Sequence, residues 1–423
     1  MKLAPASSPR TRHKPRSEDA AELKTRVRRA GRLETLRAAG LIAPLFLFLC
    51  VFFFFPVSSM LFLAVDNPEV RDGLPRTVIA IRDWSGIDLP SEAVYAALVQ
   101  DVRDTSKDRG LLGRTARRLN YEISGFRGLL LAAPRRISEL AEGPYKQALI
   151  ELDQRWGERR YWAAIKRNAG RFTDHYLLTA VDRERDADNA IVATPTEEAI
   201  FIDIYGRTFW VSALVAFFCL LLGYPFAYLL AGLSTRVSHL LMFFVLLPFW
   251  TALLARTTAW IVLLQREGVV NELLRYMGFT SEPLPLVFSR TGVIIAMTHV
   301  LLPFVILPLY SVMKGVDPQY MRVAQSLGAH PFLAFWKIYF PMTLPGVAAG
   351  GLLVFILSLG FYVTPALVGG SRDQLISTFI ALYTDTELNW GQGSALAAVL
   401  LFLMLALYGI YYRLVGGKNL QFR

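Results

Sequence analysis

Cysteine is nearly absent from this chain of 423 residues. Only Cys50 and Cys219 occur, and both fall inside apolar runs, so any domain outside those runs must fold without disulfides. No His and Cys cluster has metal-site spacing, and no Ser, His and Asp arrangement indicates a nucleophilic enzyme. The phosphate loop G-x-x-x-x-G-K-[ST] is also missing, because Gly416-Gly417-Lys418 lacks the upstream glycine. We therefore predict no metal, no cofactor, no catalytic residue and no ATP hydrolysis by the chain itself.

Acidic residues are missing from the apolar runs. All 34 Asp and Glu lie outside six predicted membrane spans, at about 41–65, 208–231, 239–264, 291–313, 344–368 and 391–412. Each run is long enough to cross a bilayer, which needs about 20 apolar residues in a helix. Ion-coupled carriers usually need an ionisable group at membrane depth, so coupling to protons or sodium is disfavoured. The two halves show no inverted pair of broken helices, which also disfavours a secondary transporter.

Positive charge is unevenly distributed. Residues 1–40 hold 11 Lys and Arg, whereas the two short loops predicted on the other side of the membrane hold four in total. This asymmetry predicts that both termini are cytoplasmic, with 1–40 as a basic tail and 41–65 as transmembrane helix 1. The run at 41–65 is too long for a cleaved signal peptide. No aromatic residue lies between the charges of the tail, so a nucleic-acid role is disfavoured.

Residues 66–205 are long enough to form a small domain between the first two spans. Trp84, Trp156 and Trp162, together with helical apolar spacing, predict a folded helical insertion on the external face. Near its end, Thr194–Glu197 has the pattern of a capping box that begins the next helix. The insertion is either a docking surface for a soluble partner or a structural lid, and the sequence does not decide between them.

A polar hairpin is predicted between the fourth and fifth spans. Asp317 can cap a helix that begins at Pro318, and Gly328 can supply the left-handed turn that ends it. A second short helix can begin at Pro331. Such a hairpin would project from the membrane domain and fit a cleft in another protein, although an ordinary amphipathic loop is the simpler alternative.

The spacing of this hairpin resembles the coupling loop of ATP-binding-cassette (ABC) importer permeases. The family pattern is Glu-Ala-Ala, three residues, Gly, nine residues, Ile, one residue, Leu-Pro; here Phe340 replaces the leucine, and only the third residue of the opening triplet agrees. The resemblance implies a loop at 317–341 that couples to an ATPase subunit. The implied contact residues are Arg322, Val323, Ala324, Gly328, Ala329, Ile338 and Pro341.

Two further segments, 247–260 and 344–370, look like those of spermidine/putrescine-type permeases. The resemblance implies a substrate path that includes Trp250, Thr251, Arg256, Phe361 and Tyr362. Aromatic faces suit an amine cation, but each ring is equally suited to ordinary packing. Arg256 is either an external gate residue or an interfacial anchor. His299 is interpreted as a hydrogen-bonded packing residue.

The expected fold is an all-α integral membrane protein with six transmembrane helices of the type I ABC importer permease kind. The external helical insertion lies between helices 1 and 2, and residues 206–423 form the permease core with helices 2–6. The resemblance implies a permease subunit of an ATP-driven importer in the bacterial inner membrane, carrying a small organic cation such as spermidine or putrescine. Its implied partners are an ABC ATPase dimer, a second permease, a periplasmic binding protein and the bilayer. A membrane receptor whose external domain senses a ligand is the alternative.

Overall fold

A computed structural model describes residues 40–138, 143–186 and 189–413 of the chain. Most of the basic tail 1–40 and the Gly416–Lys418 segment lie outside these residues. Two compact units follow each other along the chain, with the boundary between Met60 and Leu61. The first membrane helix, Gly40–Phe62, contains a π-helical turn at Cys50–Phe54.

Among the described residues, five helices are long and apolar enough to cross a membrane, and a bent pair adds a sixth if it is one span. We call them span 1 (Gly40–Phe62), span 2 (Phe201–Gly232), the bent pair (Thr235–Trp250 and Leu253–Tyr276), span 4 (Arg290–Lys314), span 5 (Pro331–Leu359) and span 6 (Trp390–Tyr411). Shorter helices lie at Gln319–Ser326, Val363–Val368 and Ile376–Ala381. The expected all-helical membrane fold is confirmed.

Three predicted spans differ from the observed helices. The predicted span 239–264 bends by 95° near residue 251, where Pro248 ends the first helix and Thr251 is extended. The predicted span 344–368 instead begins at Pro331 and ends at Leu359. Span 2 begins at Phe201 rather than near 208, so Asp203 lies within its first turn. Asp203 thus belongs to the helix of span 2 but lies before the predicted apolar run 208–231, so the expectation that acidic residues lie outside the membrane stays a prediction.

Spans 2, 4 and 5 form the central core of the membrane part. Glycines allow their backbones to approach closely: a Cβ at Gly223 would lie 2.6 Å from Val305 Cγ1, and one at Gly350 would lie 3.2 Å from the Val305 carbonyl oxygen. Membrane helices associate mainly through such close packing, since lipid tails are as apolar as leucine. Adding a methyl group at Gly223 should cost about 1–3 kcal/mol.

Residues between span 1 and span 2 form a helical insertion with its own hydrophobic core. Its elements are helices Pro68–Gly73, Pro75–Ala80, Glu92–Thr105, Arg109–Glu122, Phe126–Ile137, Tyr145–Leu152, Arg159–Arg167 and His175–Thr179, and the antiparallel strands Arg183–Arg185 and Ile191–Ala193. Trp156 and Trp162 are buried at its centre, and the Tyr95 ring packs against Trp162 at a tilt of 54°, with ring centroids 4.4 Å apart. Both the Tyr95 hydroxyl and the Trp162 indole donate to the Trp156 carbonyl oxygen.

A buried polar cluster joins the beginning, middle and end of the insertion. Arg118 is almost fully buried; its Nε donates to Asn67 Oδ1 at 2.7 Å, and its guanidinium lies 4.9 Å from the Tyr176 ring centroid. Glu122 accepts from Asn168 Nδ2 and lies 3.5 Å from Arg118. A charge as deeply buried as that of Arg118 requires such partners. The cluster therefore fixes the ends of the insertion together.

The insertion is also tied to the membrane helices. Asp182 accepts hydrogen bonds from the backbone N–H groups of Phe201 (3.0 Å) and Ile202 (2.7 Å), so it caps span 2 from outside the helix. The predicted capping box at Thr194–Glu197 is therefore wrong, because the helix begins at Phe201 and not at Pro195. Tyr176 fills the space beside Gly391, where an added Cβ would lie 2.3 Å from its ring.

Candidate functional site

The polar hairpin begins where the sequence predicts. Asp317 accepts from the Gln319 N–H at 2.8 Å, and the helix Gln319–Ser326 follows. Gly328 has φ +87°, the left-handed conformation that side-chain-bearing residues rarely adopt. The Gly328 and Ala329 N–H groups then bond to the carbonyl oxygens of Gln325 and Ala324, closing the end of the helix. The predicted Asp317 hydrogen bond and the left-handed turn at Gly328 are both present, whereas the helix begins at Gln319, one residue after the predicted Pro318.

The second arm of the hairpin is not a separate short helix. It begins at Pro331, as predicted, but continues through a π-helical turn at Phe335–Tyr339 into the rest of span 5. Pro341 cannot donate the backbone hydrogen bond that a regular helix requires, and kinks and irregular turns are expected beside such a residue. Span 5 is therefore one 29-residue helix that carries the hairpin on its first turns.

The hairpin presents an exposed apolar surface, which we call the apolar patch. Its members are Tyr320, Val323, Leu327, Phe332, Leu333 and Trp336. Leu327, beside the turn, is 83% exposed, whereas Ala324 and Ala334 are buried between the two arms. A contiguous apolar surface of this kind marks an interaction site or a membrane contact.

Sequence spacing identified only part of this surface. Of the implied coupling residues, Arg322, Val323, Gly328 and Pro341 are exposed, Ala329 and Ile338 are half-buried, and Ala324 is buried. Five aromatic and aliphatic members of the patch were missed: Tyr320, Leu327, Phe332, Leu333 and Trp336. Their spacing along short helices, with residues 320, 323 and 327 on one face, was the signal that indicates them.

An aromatic cluster, the aromatic clamp, joins the base of the hairpin to span 2. Tyr228 packs edge-to-face against Phe335 and Tyr339, with ring centroids 5.7 Å and 5.3 Å apart. Tyr224 packs against Phe340 and hydrogen-bonds to Thr343 Oγ1 at 3.0 Å. Edge-to-face aromatic pairs contribute about 0.5–1.5 kcal/mol each beyond the area that they bury.

Lys314 makes a second link between the hairpin region and span 2. Its ammonium group donates to the carbonyl oxygens of Ala231 (3.3 Å) and Leu233 (3.4 Å), at the last turn of span 2. A cation at this end of a helix satisfies free carbonyl groups and complements the helix dipole. The hairpin thus moves against span 2 only if these contacts are broken.

The predicted path residues fall at two breaks in the membrane helices. Trp250 and Thr251 lie at the bend of the bent pair, where Trp250 is 84% exposed. Phe361 and Tyr362 lie where span 5 ends, before the helix Val363–Val368. The two breaks meet through a hydrogen bond between Thr257 and Thr364 hydroxyls at 3.3 Å.

The five path residues do not form one surface. Phe361 packs against the central core and its carbonyl oxygen accepts from Ser377 Oγ at 2.7 Å, whereas Trp250 is open and Tyr362 partly so. Arg256 lies one turn after the bend, rather than deep in a straight helix, with its guanidinium 5.7 Å from the Phe249 ring centroid. Its Nε and Nη1 atoms are buried without acceptors among the described residues.

His299 accepts a hydrogen bond from Trp260 Nε1 through its Nδ1 atom at 3.2 Å. The hydrogen bond expected for His299 is therefore present, but the side chain is exposed, so the expectation of a buried packing residue is not confirmed. Within residues 40–138, 143–186 and 189–413, no group of three His, Cys, Asp or Glu side chains is arranged to hold a metal ion. The site thus consists of a protruding hairpin, a clamp and two helix breaks.

Several apolar helices, three of them in a close-packed glycine-rich core, together with a projecting hairpin, define a multi-pass membrane protein. Residues 223–417 match the family model described as binding-protein-dependent transport system inner membrane component. The spermidine/putrescine transport system permease protein PotB of Haemophilus influenzae is 36% identical over 218 residues, which are 51% of this chain and 76% of that protein. This chain belongs to the family of inner membrane components of binding-protein-dependent transport systems.

Other relatives agree with this family. PotB of Escherichia coli is 32% identical over 216 residues, covering 51% of this chain and 78% of that protein. The molybdenum transport system permease protein ModB of Mycobacterium bovis is 30% identical over 190 residues, covering 45% and 68%. A solved bacterial ABC transporter for alginate import aligns with 20% identity and a TM-score of 0.38, over 51% of this chain and 80% of that one. The family match and the PotB relatives show that the chain is an inner membrane permease, as the resemblance implied.

Proposed function

We propose that this chain is a permease subunit of an ATP-driven importer whose cargo is a small organic cation, with a polyamine such as spermidine or putrescine favoured. The observation that carries the proposal is the 36% identity to a permease named for spermidine and putrescine. The chain contributes no catalytic residue, so ATP hydrolysis belongs to a separate ATPase subunit.

The apolar patch supports docking of the hairpin onto a cytoplasmic ABC ATPase dimer. Aromatic side chains are enriched at the buried centre of protein interfaces, where they contribute most of the binding free energy. Tyr320, Phe332 and Trp336 provide such anchors, and Leu327 projects from the turn between them. In this arrangement both termini and the hairpin are cytoplasmic, and residues 66–205 are external.

Closure of the ATPase dimer would displace the hairpin, and the aromatic clamp would carry that displacement to span 2. Because spans 2, 4 and 5 are packed through glycines, they would rotate together as a rigid body. A second permease would complete the translocation path, and a periplasmic binding protein would deliver the cargo. The two helix breaks support a gate, because irregular backbone in a membrane is tolerated where it is buried or lines a cavity.

The cation is best held by aromatic and carbonyl groups. Trp250 and Tyr362 offer exposed ring faces at the two breaks. A cation over an aromatic face gains about 0.5–2 kcal/mol, which suits a transient stop in a path better than a tight site. The charge of Arg256 repels a nearby cation. In this proposal Arg256 therefore lies at the boundary of the path and does not contact the cargo.

Uptake by proteoliposomes tests the proposal. The complex would be purified through a tag on this chain and reconstituted with its binding protein, and labelled spermidine and putrescine would be compared with molybdate and an alginate oligosaccharide. We expect ATP-dependent accumulation of the polyamines alone. Import of an anion or a neutral sugar without polyamine uptake would show that the cargo is wrong. Absence of any co-purifying ATPase would instead favour the receptor alternative.

A further inference from the structure

An open cleft of about 560 Å³ lies where the insertion returns to the membrane helices, at the beginning of spans 2 and 4. Its charged and polar lining is Asp203, Arg207, Arg290, Ser371 and Arg372, and its apolar lining is Ala199, Ile200, Ile204 and Phe379. A cavity of this size is within the range of small-molecule sites, about 300–1,000 Å³. None of the transport steps above uses it.

The cleft carries an excess of positive charge. Arg290 pairs with Asp373 at 3.1 Å, and the Arg207 guanidinium donates to the Arg372 carbonyl oxygen. The side chain of Arg372 is exposed and makes no hydrogen bond or ion pair with the described residues. Three arginines therefore face two aspartates, Asp203 and Asp373. Like charges gathered in one cleft repel each other, so an anion would be favoured there.

An exposed apolar stripe leads away from the cleft along span 2. Trp210, Phe217 and Leu221 follow Arg207 at helical spacing on one face, and they are 59%, 56% and 55% exposed. The cleft is thus the polar end of a continuous surface whose remainder is apolar. Trp210 lies one turn below Arg207, a common place for an aromatic ring at a membrane interface.

We propose that the cleft and the stripe together bind an anionic glycerophospholipid. The phosphodiester would accept from the guanidinium groups of Arg372 and Arg207, because the planar arginine fork matches phosphate oxygens. One acyl chain would lie along Trp210, Phe217 and Leu221. An acidic side chain of a docking protein would account for the charges of the cleft but would leave the stripe unused.

Native mass spectrometry of the intact transporter can test this site. Wild-type complex would be extracted from nanodiscs of phosphatidylcholine alone or mixed with phosphatidylglycerol, and phosphatidylglycerol adducts would be counted. We expect Arg372→Gln to weaken phosphatidylglycerol retention about tenfold, as expected for a lost charge-assisted contact. The substitution should not affect folding, because this side chain has no partner to lose. Arg275→Gln is the matched control, since Arg275 is exposed in the bent pair and outside the cleft.

A second variant separates a lipid from a soluble phosphate. Trp210→Ala should also reduce phosphatidylglycerol retention. A lipid site would be refuted if glycerol 3-phosphate displaced the bound phosphatidylglycerol while Trp210→Ala had no effect on its retention. Equal adducts in wild type, Arg372→Gln and Arg275→Gln would refute the proposal outright. It would also be refuted if Arg372→Gln weakened attachment of the binding protein and left the lipid adducts unchanged, because the cleft would then be a protein-docking site.

Discussion

Substitution of Gly328 tests how the hairpin couples to the ATPase. The residue has φ +87°, and nothing lies within 4 Å of the position that a Cβ would occupy. Any effect of Gly328→Ala therefore comes from the backbone conformation and not from a collision. The left-handed conformation costs a residue with a Cβ about 1–2 kcal/mol, and a β-branched valine at the upper end of that range.

A strain of this size changes an equilibrium constant by about 5–30-fold. When the hairpin turn is only marginally stable, this strain leaves the apolar patch in an altered orientation in most molecules of the variant. We expect uptake and cargo-stimulated ATP hydrolysis to fall by about tenfold in Gly328→Ala and further in Gly328→Val, with normal amounts of protein in the membrane. Both activities would be measured on reconstituted complex.

Gly315→Ala is the matched control, because Gly315 lies at the start of the same region with φ −80°. Its added Cβ would lie 3.4 Å from the Val312 carbonyl oxygen and 3.8 Å from that of Ser311, which are ordinary or slightly tight contacts. We expect nearly unchanged activity for this variant. Wild-type uptake and ATP hydrolysis in Gly328→Val, or equal losses in Gly315→Ala and Gly328→Ala, would refute the reasoning.

Three further predictions concern topology, the path and the insertion. Topology can be tested with an impermeant maleimide in a chain whose Cys50 and Cys219 are replaced by alanine. Ser124→Cys should react when only the outer membrane is opened, whereas Ser326→Cys should react only after the inner membrane is opened as well. The reverse pattern would refute the topology. Trp250→Ala should raise the KM for polyamine uptake about 2–30-fold, from 0.5–2 kcal/mol of lost cation–π attraction, while the equally exposed Tyr276→Ala should not. Burial, and then nearby Arg118, holds the pKa of His175 at about 4, below its ordinary 6.5, while Glu122, Asp174 and Arg167 also act on it. The unfolded chain therefore binds more protons between pH 6.5 and 4, so stability is full above pH 6.5 and is lost as the pH falls towards 4, by up to about 3 kcal/mol. The unfolding temperature, followed by tryptophan fluorescence, should fall less on acidification in His175→Gln than in wild type, and parallel curves would argue against this assignment.

Local signals in the sequence predicted the hairpin well. Asp317, Gly328 and Pro331 each act through their own backbone or that of a close neighbour, so a cap, a left-handed turn and a helix start can be inferred from residue type alone. The residues that border the transport path stay predictions, since an exposed aromatic ring is compatible with several partners.

Features that depend on distant residues could not be predicted. The start of span 2 is capped by Asp182, which lies 19 residues earlier in the chain, while the nearer Thr194–Glu197 pattern has no such role. The bend at residues 250–253 was not predicted although Pro248 lies beside it, since hydropathy reports the length of an apolar run and not its direction. The tryptophans and their spacing predicted the helical core of the insertion, but spacing could not reveal that Tyr176 packs against Gly391 in span 6.

Span 2 connects two attachments that lie at its opposite ends. It has 32 residues and is therefore about 48 Å long. Asp182 fixes its first turn to the insertion, and the aromatic clamp with Lys314 fixes its last turns to the hairpin. A helix fixed at both ends transmits a tilt in either direction. Binding of a protein to the insertion and the nucleotide state of the proposed ATPase would therefore influence each other reciprocally. An antibody fragment that immobilised the insertion would then slow ATP hydrolysis without contacting the ATPase.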